Sequence, residues 1–425
     1  MAEIDVIVIG GGAAGLMTSR ELVRKGKTVC LLEARDRVGG RINTVYDSPV
    51  SEHIEMGAEF VHGNLEATMQ LLKEGNIGYH RMGGTSWHYR GGALKREQHF
   101  VEGWDLLEEK LTELQEDMSI DDFLERWFSG DEYNGLRNSV RGFAVGYDTA
   151  DPARASAIAL REEWMSEDGQ VTYRLNNGYG EMIEYLLHEC EEGDFELLLN
   201  NAVTEIHCQE GRVTIFTENE ESYLAKQVIV TVPMGVLQAG KIKFVPEIPE
   251  YNGAMQDMGY GSIIKLLFVF REAFWETLAN EYGNMKELSF LLSDQEIPTW
   301  WTQYPRRSTV LTGWLGGPKA ALLKHASDES VEELGLQSLA NIFGMSMEVL
   351  RALLVTSEVA NWNAEPFTLG SYGYATTETE KARKVLAMPV QGTIYFAGEA
   401  MYGGKEMGTV EAALKSGIEV AQKIK

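Results

Sequence analysis

Cysteine is scarce: Cys30, Cys190 and Cys208 are the only three in 425 residues. Their separation fits neither a disulfide framework nor the close pairs that ligate a metal. No metal is therefore expected, and a reducing, cytoplasmic setting is. Basic charge is also short, with 38 Lys and Arg against 64 Asp and Glu and a formal net charge of −26. No basic cluster could track a phosphate backbone, which argues against nucleic acid and anionic lipid as partners, while an acidic surface raises the local concentration of a cationic small molecule. Long apolar runs are missing too. The run over residues 6–9 is too short for a signal-peptide core, and nothing approaches the ~20 residues of a membrane span, so no membrane partner is expected.

What is present is an ordinary globular balance, 44% hydrophobic and 24% charged residues, in a chain long enough to split into two domains. No internal repeat or low-complexity tract interrupts it. Residues 5–9 form an apolar run ending on Gly10, Gly12 and Gly15; helix-favouring residues follow over 14–25, Gly26 supplies a stop, and a second apolar run over 28–32 ends on Glu33. That is a βαβ unit of the usual length. Strands are predicted over 195–199, 213–216 and 227–232, and again over 263–270, 300–304 and 309–314. Helical spacing covers 104–126, 137–161, 330–343 and 347–354, and a final strand near 393–397 precedes a long helix from about Thr409.

The three glycines permit a tight turn, close approach of the backbone to a pyrophosphate and close packing of helix on strand; the helix N-terminus favours the anion. Glu33 stands where a carboxylate accepts hydrogen bonds from ribose hydroxyls. Together these features establish a dinucleotide site. Directly after the acid come Ala34, Arg35, Gly40 and Arg41, a second glycine-bearing pass with an arginine able to neutralise pyrophosphate.

The run from Gly10 to Arg41 resembles the start of the flavin-dependent amine oxidases, the family of monoamine and polyamine oxidases. The resemblance extends over nearly the whole chain. Gly57, Ala58, Glu59, Phe60 and His62 resemble the segment that passes the flavin ring; residues 174–182 resemble a glycine turn before re-entry to the cofactor domain; Val203 stands where the family holds adenine. Trp362 with Gly370, Ser371 and Tyr372 resembles a stretch beside the flavin. Gly398, Glu399, Met407 and Thr409 match ribityl and isoalloxazine contacts. Ser371 occupies the place of the cysteine that attaches FAD covalently in monoamine oxidases, so the resemblance implies noncovalent FAD, with molecular oxygen as electron acceptor.

The resemblance also implies catalytic residues. Lys265 lies in an apolar strand, where an unpaired ammonium is costly; in the family a lysine here holds a water against flavin N5. Tyr372 would stand before the ring and confine the amine. Glu59 and His62 are substrate candidates, as is Trp300 with its neighbour Trp301. Lys405 replaces the second aromatic of the usual substrate cage, and a lysine there would repel an alkylammonium and attract a carboxylate.

The expected fold is α/β: a Rossmann-type FAD-binding domain from residues 1–80, 190–245 and 365–425, interleaved with a mixed sheet-plus-helix substrate domain from 81–189 and 246–364. The expected activity is oxidation of a primary, secondary or polyamine to an imine, then to an aldehyde or ketone with hydrogen peroxide. Two alternatives stay open: an L-amino-acid oxidase, favoured by Lys405 and opposed by a glutamate where such enzymes place an arginine, and a flavin-binding interaction protein without turnover.

Overall fold

The computed structural model describes residues 4–46, 53–96, 103–165, 171–280 and 283–425. Its first sheet has eight strands, with Ile4–Ile9 hydrogen-bonded in parallel to Val29–Leu32 on one side and to Ser222–Val230 on the other. Phe195–Leu198 extends it beyond Val29–Leu32, and Ile394–Phe396 pairs in parallel with Ser222–Val230. Val29–Leu32 and residues 6–9 are covered on both faces, which is why they are apolar throughout rather than alternating. Val6 and Val8 face a core shared with the helices Ala13–Arg24 and Val410–Lys423, while Ile7 and Ile9 face a second core with Val228, Val230 and Met255.

The second sheet has seven strands, ordered Leu354–Asn361, Ile263–Phe270, Val310–Gly316, Thr299–Thr302, Leu288–Ser293, Thr85–Arg90 and Ala93–Arg96. One face packs on the helix Asp328–Phe343 through Leu266, Phe268 and Trp300. The other turns toward the first domain. The helices Trp104–Glu113, Ile120–Trp127, Asn134–Gly146 and Ala157–Trp164 build a separate small core.

The domain boundaries expected from the sequence shift at two places. The segment containing Leu175, Tyr179, Met182 and Ile183, together with the helix Pro249–Asp257 through Ala254 and Met255, packs in the cores of the first sheet. Their apolar faces oppose the nucleotide-domain helices, and helix Gly180–Glu191 lies directly against Ala13–Arg24. The strand Leu354–Asn361, which the sequence pattern does not predict, hydrogen-bonds along nearly the whole of Ile263–Phe270.

Candidate active site

A cavity of about 2170 Å3 runs between the two sheets and reaches the helical insertion. At one end the strand Ile4–Ile9 stops at Gly10, whose φ of +107° lies in the region glycine alone adopts cheaply. A Cβ on Gly15 would lie 1.9 Å from the Gly10 carbonyl oxygen, so this glycine packs the helix on the turn and is not itself on the cavity wall. Gly12, Ala14, Ala34, Gly40 and Val203 do line it. Glu33 is buried here, its two oxygens accepting from the amides of Gly11 at 2.6 Å and Arg35 at 2.9 Å. Each carboxylate oxygen keeps acceptor capacity for a hydroxyl.

The middle of the cavity is crossed by Arg41, whose Nη1 donates to the Ser371 carbonyl at 2.6 Å and to Glu399 at 2.8 Å. Glu399 also accepts from the amide of Gly373. Gly398, with open space where a side chain would be, and Met407 and Thr409 complete this wall. The strap of Gly57, Ala58, Glu59 and Phe60 passes opposite. A Cβ on Gly57 would meet the Arg41 carbonyl oxygen at 1.7 Å, so only glycine lets the strap approach this closely. Trp362 holds it by donating from Nε1 to the Met56 carbonyl at 3.0 Å.

Beyond the strap, Lys265 is fully buried, donating to Glu59 at 2.8 Å and to the Gly57 carbonyl at 3.1 Å. Glu59 takes three further donors: Trp301 Nε1 at 3.0 Å, Gln303 at 3.2 Å and Arg174 at 2.9 Å. Burial alone would raise its pKa, but the charges of Lys265 and Arg174 and the hydrogen bonds outweigh it, lowering the carboxyl to about 2. Two donors sit on each oxygen, which leaves no room for the distal ammonium that the sequence reading allowed at Glu59.

Trp300 is also reassigned. Successive strand residues face opposite sides, and Trp301 pairs with Thr312, which pairs with Leu267, putting Trp301 on the face of Lys265. Trp300 therefore points into the helix-covered core, where its Nε1 donates to the Ile297 carbonyl. Trp301 lines the cavity instead.

At the far end Tyr372 donates its hydroxyl proton to the Tyr147 carbonyl. The Tyr147 ring stacks on Phe143 with centroids 5.1 Å apart and lies 5.5 Å from His62. Burial lowers the His62 pKa to about 4, so its ring is neutral at pH 7. Lys405 is exposed at the cavity edge. The aromatic wall comes from the helical insertion, on Phe143, Tyr147 and Trp164.

That wall carries two carboxyls that no sequence motif marked. Asp148 and Glu163 lie within hydrogen-bonding reach of each other, and burial and mutual repulsion raise Asp148 well above its usual value. Glu163, raised chiefly by burial, moves to about 7. Glu163 is exposed and Asp148 half-buried, and both line the cavity. Among the described residues neither carboxyl pairs with a lysine or arginine, and the nearby Arg141 is held by Asp121 at 2.7 Å. None of the three cysteines, all free and buried, lines the cavity.

The family model for flavin containing amine oxidoreductases matches residues 13–425. The chain belongs to this family. Polyamine oxidase 4 of Oryza sativa subsp. japonica is 30% identical, the alignment covering 98% of this chain and 88% of that protein. A probable polyamine oxidase 4 of Arabidopsis thaliana is 26% identical over 98% of this chain and 86% of its own length. A putrescine oxidase solved with putrescine superposes with a TM-score of 0.81 at 20% identity, covering 99% of both chains. The cyclohexylamine oxidase of Brevibacterium oxydans gives 0.80 at 19% identity, over 99% of this chain and 98% of that one. These likenesses bear out the α/β flavoprotein fold.

As a flavin-containing amine oxidase the protein uses FAD and oxidises amines, with oxygen as acceptor. The residues fit the cofactor: Glu33 offers ribose acceptors, the turn at Gly10 and Gly12 leaves backbone close to the cavity, and Arg41 supplies a cation beside it. No helix among the described residues is long and apolar enough to cross a membrane.

Proposed function

We propose that this amine oxidase acts on di- or polyamines, releasing hydrogen peroxide. The observation that carries the reading is the Asp148 and Glu163 pair on the aromatic wall, two carboxyls with no cationic partner among the described residues. Two carboxyls side by side on a cavity wall without a cation repel each other, and an ammonium at the far end of a substrate supplies the missing charge. Tyr372 and the Tyr147 wall then confine the alkyl chain, and neutral His62 adds no charge that would repel it. When bound, FAD supplies the two-electron acceptor that turns the C–N bond into an imine, with water completing hydrolysis and oxygen becoming hydrogen peroxide. The names of the similar polyamine and putrescine oxidases agree with this substrate class. The free, buried cysteines support a reducing, cytoplasmic setting.

The test is anaerobic mixing of the purified holoenzyme with monoamines, diamines, polyamines and amino acids, following flavin absorbance. Diamines or polyamines should bleach it fastest. Glu163→Gln and Asp148→Asn should each raise KM for a diamine at least tenfold while leaving kcat and monoamine KM near wild type. Bleaching by amino acids alone would make the protein an amino-acid oxidase, a reading to which only the exposed Lys405 lends support. Bleaching by none would make it a binding protein.

A further inference from the structure

Glu59 ties together four segments distant in sequence. The strap of residues 56–60 carries the carboxylate itself. The strand Thr172–Leu175 brings Arg174, which also donates to the Thr302 carbonyl at 2.9 Å and lies over the Phe60 ring at 4.8 Å. The strand Ile263–Phe270 brings Lys265, and the end of Thr299–Thr302 brings Trp301 and Gln303. Two cations and one anion meet here, for a net charge of +1.

The cavity fixes where this charge acts. A dinucleotide whose ribose meets Glu33 and whose pyrophosphate meets the Gly10 turn extends past Arg41 and Glu399. Gly57, Lys265, Trp301 and Tyr372, farther along the same cavity, would be the wall left for the isoalloxazine ring. Lys265 is 0% exposed, its ammonium enclosed by Glu59, the Gly57 carbonyl and the Trp301 ring at 5.4 Å. It acts on the cavity through the field of a charge held in one place. We propose that Glu59 is a positioning residue for Lys265, fixing the ammonium against the strap so that its charge reaches the flavin from one place. This is independent of which amine is oxidised.

Flavin gains negative charge on reduction, so added positive charge beside the ring makes reduction easier. The test is the midpoint potential of bound FAD, measured by slow reduction against a reference dye without any amine, in a double-mutant cycle. Glu59→Gln should raise the potential, Lys265→Met should lower it, and in the Lys265→Met background Glu59→Gln should have less than half its effect. A merely structural glutamate would change stability and leave the potential where it was. An equal shift in both backgrounds would assign the effect to Arg174 and overturn the proposal, as would no shift in either. Should Glu59→Gln fail to retain FAD, Glu59→Asp keeps the charge and withdraws it from Lys265. Its potential should then move in the wild-type background and not with Lys265→Met, and an unchanged potential in both would equally overturn the proposal.

Discussion

Glu59 and the Asp148 and Glu163 pair stand on walls of one cavity. The first is lowered to about 2 by two cations and four donors, while Glu163 is raised to about 7 with an acid for its neighbour. All three are carboxyls on the cavity wall; Glu59 is buried among cations and donors, whereas Glu163 is exposed and Asp148 half-buried, with no cation beside them among the described residues. A carboxylate whose lone pairs are all taken belongs to the scaffold, and one on the cavity wall without a cation is available to a ligand. The contrast corrects a natural inference from sequence, that the acid nearest the flavin segment binds the amine.

The largest effect should come from breaking the saturated site. Glu59→Leu leaves Lys265 and Arg174 buried without a counter-charge and should cost ~3–5 kcal/mol of unfolding free energy in denaturant titration of the apoprotein. Glu163→Gln should cost less than ~1 kcal/mol in the same measurement, since it removes a repulsion. Equal losses would dissolve the comparison.

The two sites should also respond to pH with opposite sign. The folded pKa of Glu59 is depressed below 4.5, so its contribution to stability is present above that value and lost as pH falls toward about 2. The folded pKa of Glu163 is raised, so its contribution is full below 4.5 and lost as pH rises through about 7. A distal ammonium must displace the proton that the pair retains. KM for a diamine should therefore fall as pH rises toward 7, by at most about tenfold per unit, and level off above it. A monoamine profile with the same slope would remove the pair from the substrate site.

The smallest effect sharpens the saturated side. Trp301→Phe keeps an aromatic face toward the cavity and deletes one of the four donors to Glu59, which should cost ~1 kcal/mol in thermal or denaturant unfolding. A loss several times larger would mean that the indole holds the strap and not merely the carboxylate.

Much of the fold was legible because its signals are local. The apolar run before Gly10, the acid at Glu33 and the eight buried residues of Ile263–Phe270 announce strands covered on both faces. The tryptophan pair shows where local reading stops: alternation says that Trp300 and Trp301 face opposite ways, but only the register with Val310–Gly316 says which faces the cavity. Arg174, Gln303 and Glu59 are neighbours through tertiary folding alone, with no spacing to signal them. Asp148 stands just past the end of Asn134–Gly146 and Glu163 near the end of Ala157–Trp164. In sequence they look like ordinary members of an acidic surface.

Trp300 never meets the cavity, yet it guards it. Its ring occupies the space that a side chain at residue 313 would need, 2.7 Å from where a Cβ on Gly313 would be. Sliding Thr299–Thr302 by one residue would turn Trp301 into the helix-covered core and drive a large ring into an unprepared neighbour. The bare glycine and the bulky indole act as a keyed joint, permitting a single assembly of that wall. Pocket variants built at positions 299 and 301 should therefore retain their alignment as long as the pair at 300 and 313 is left untouched.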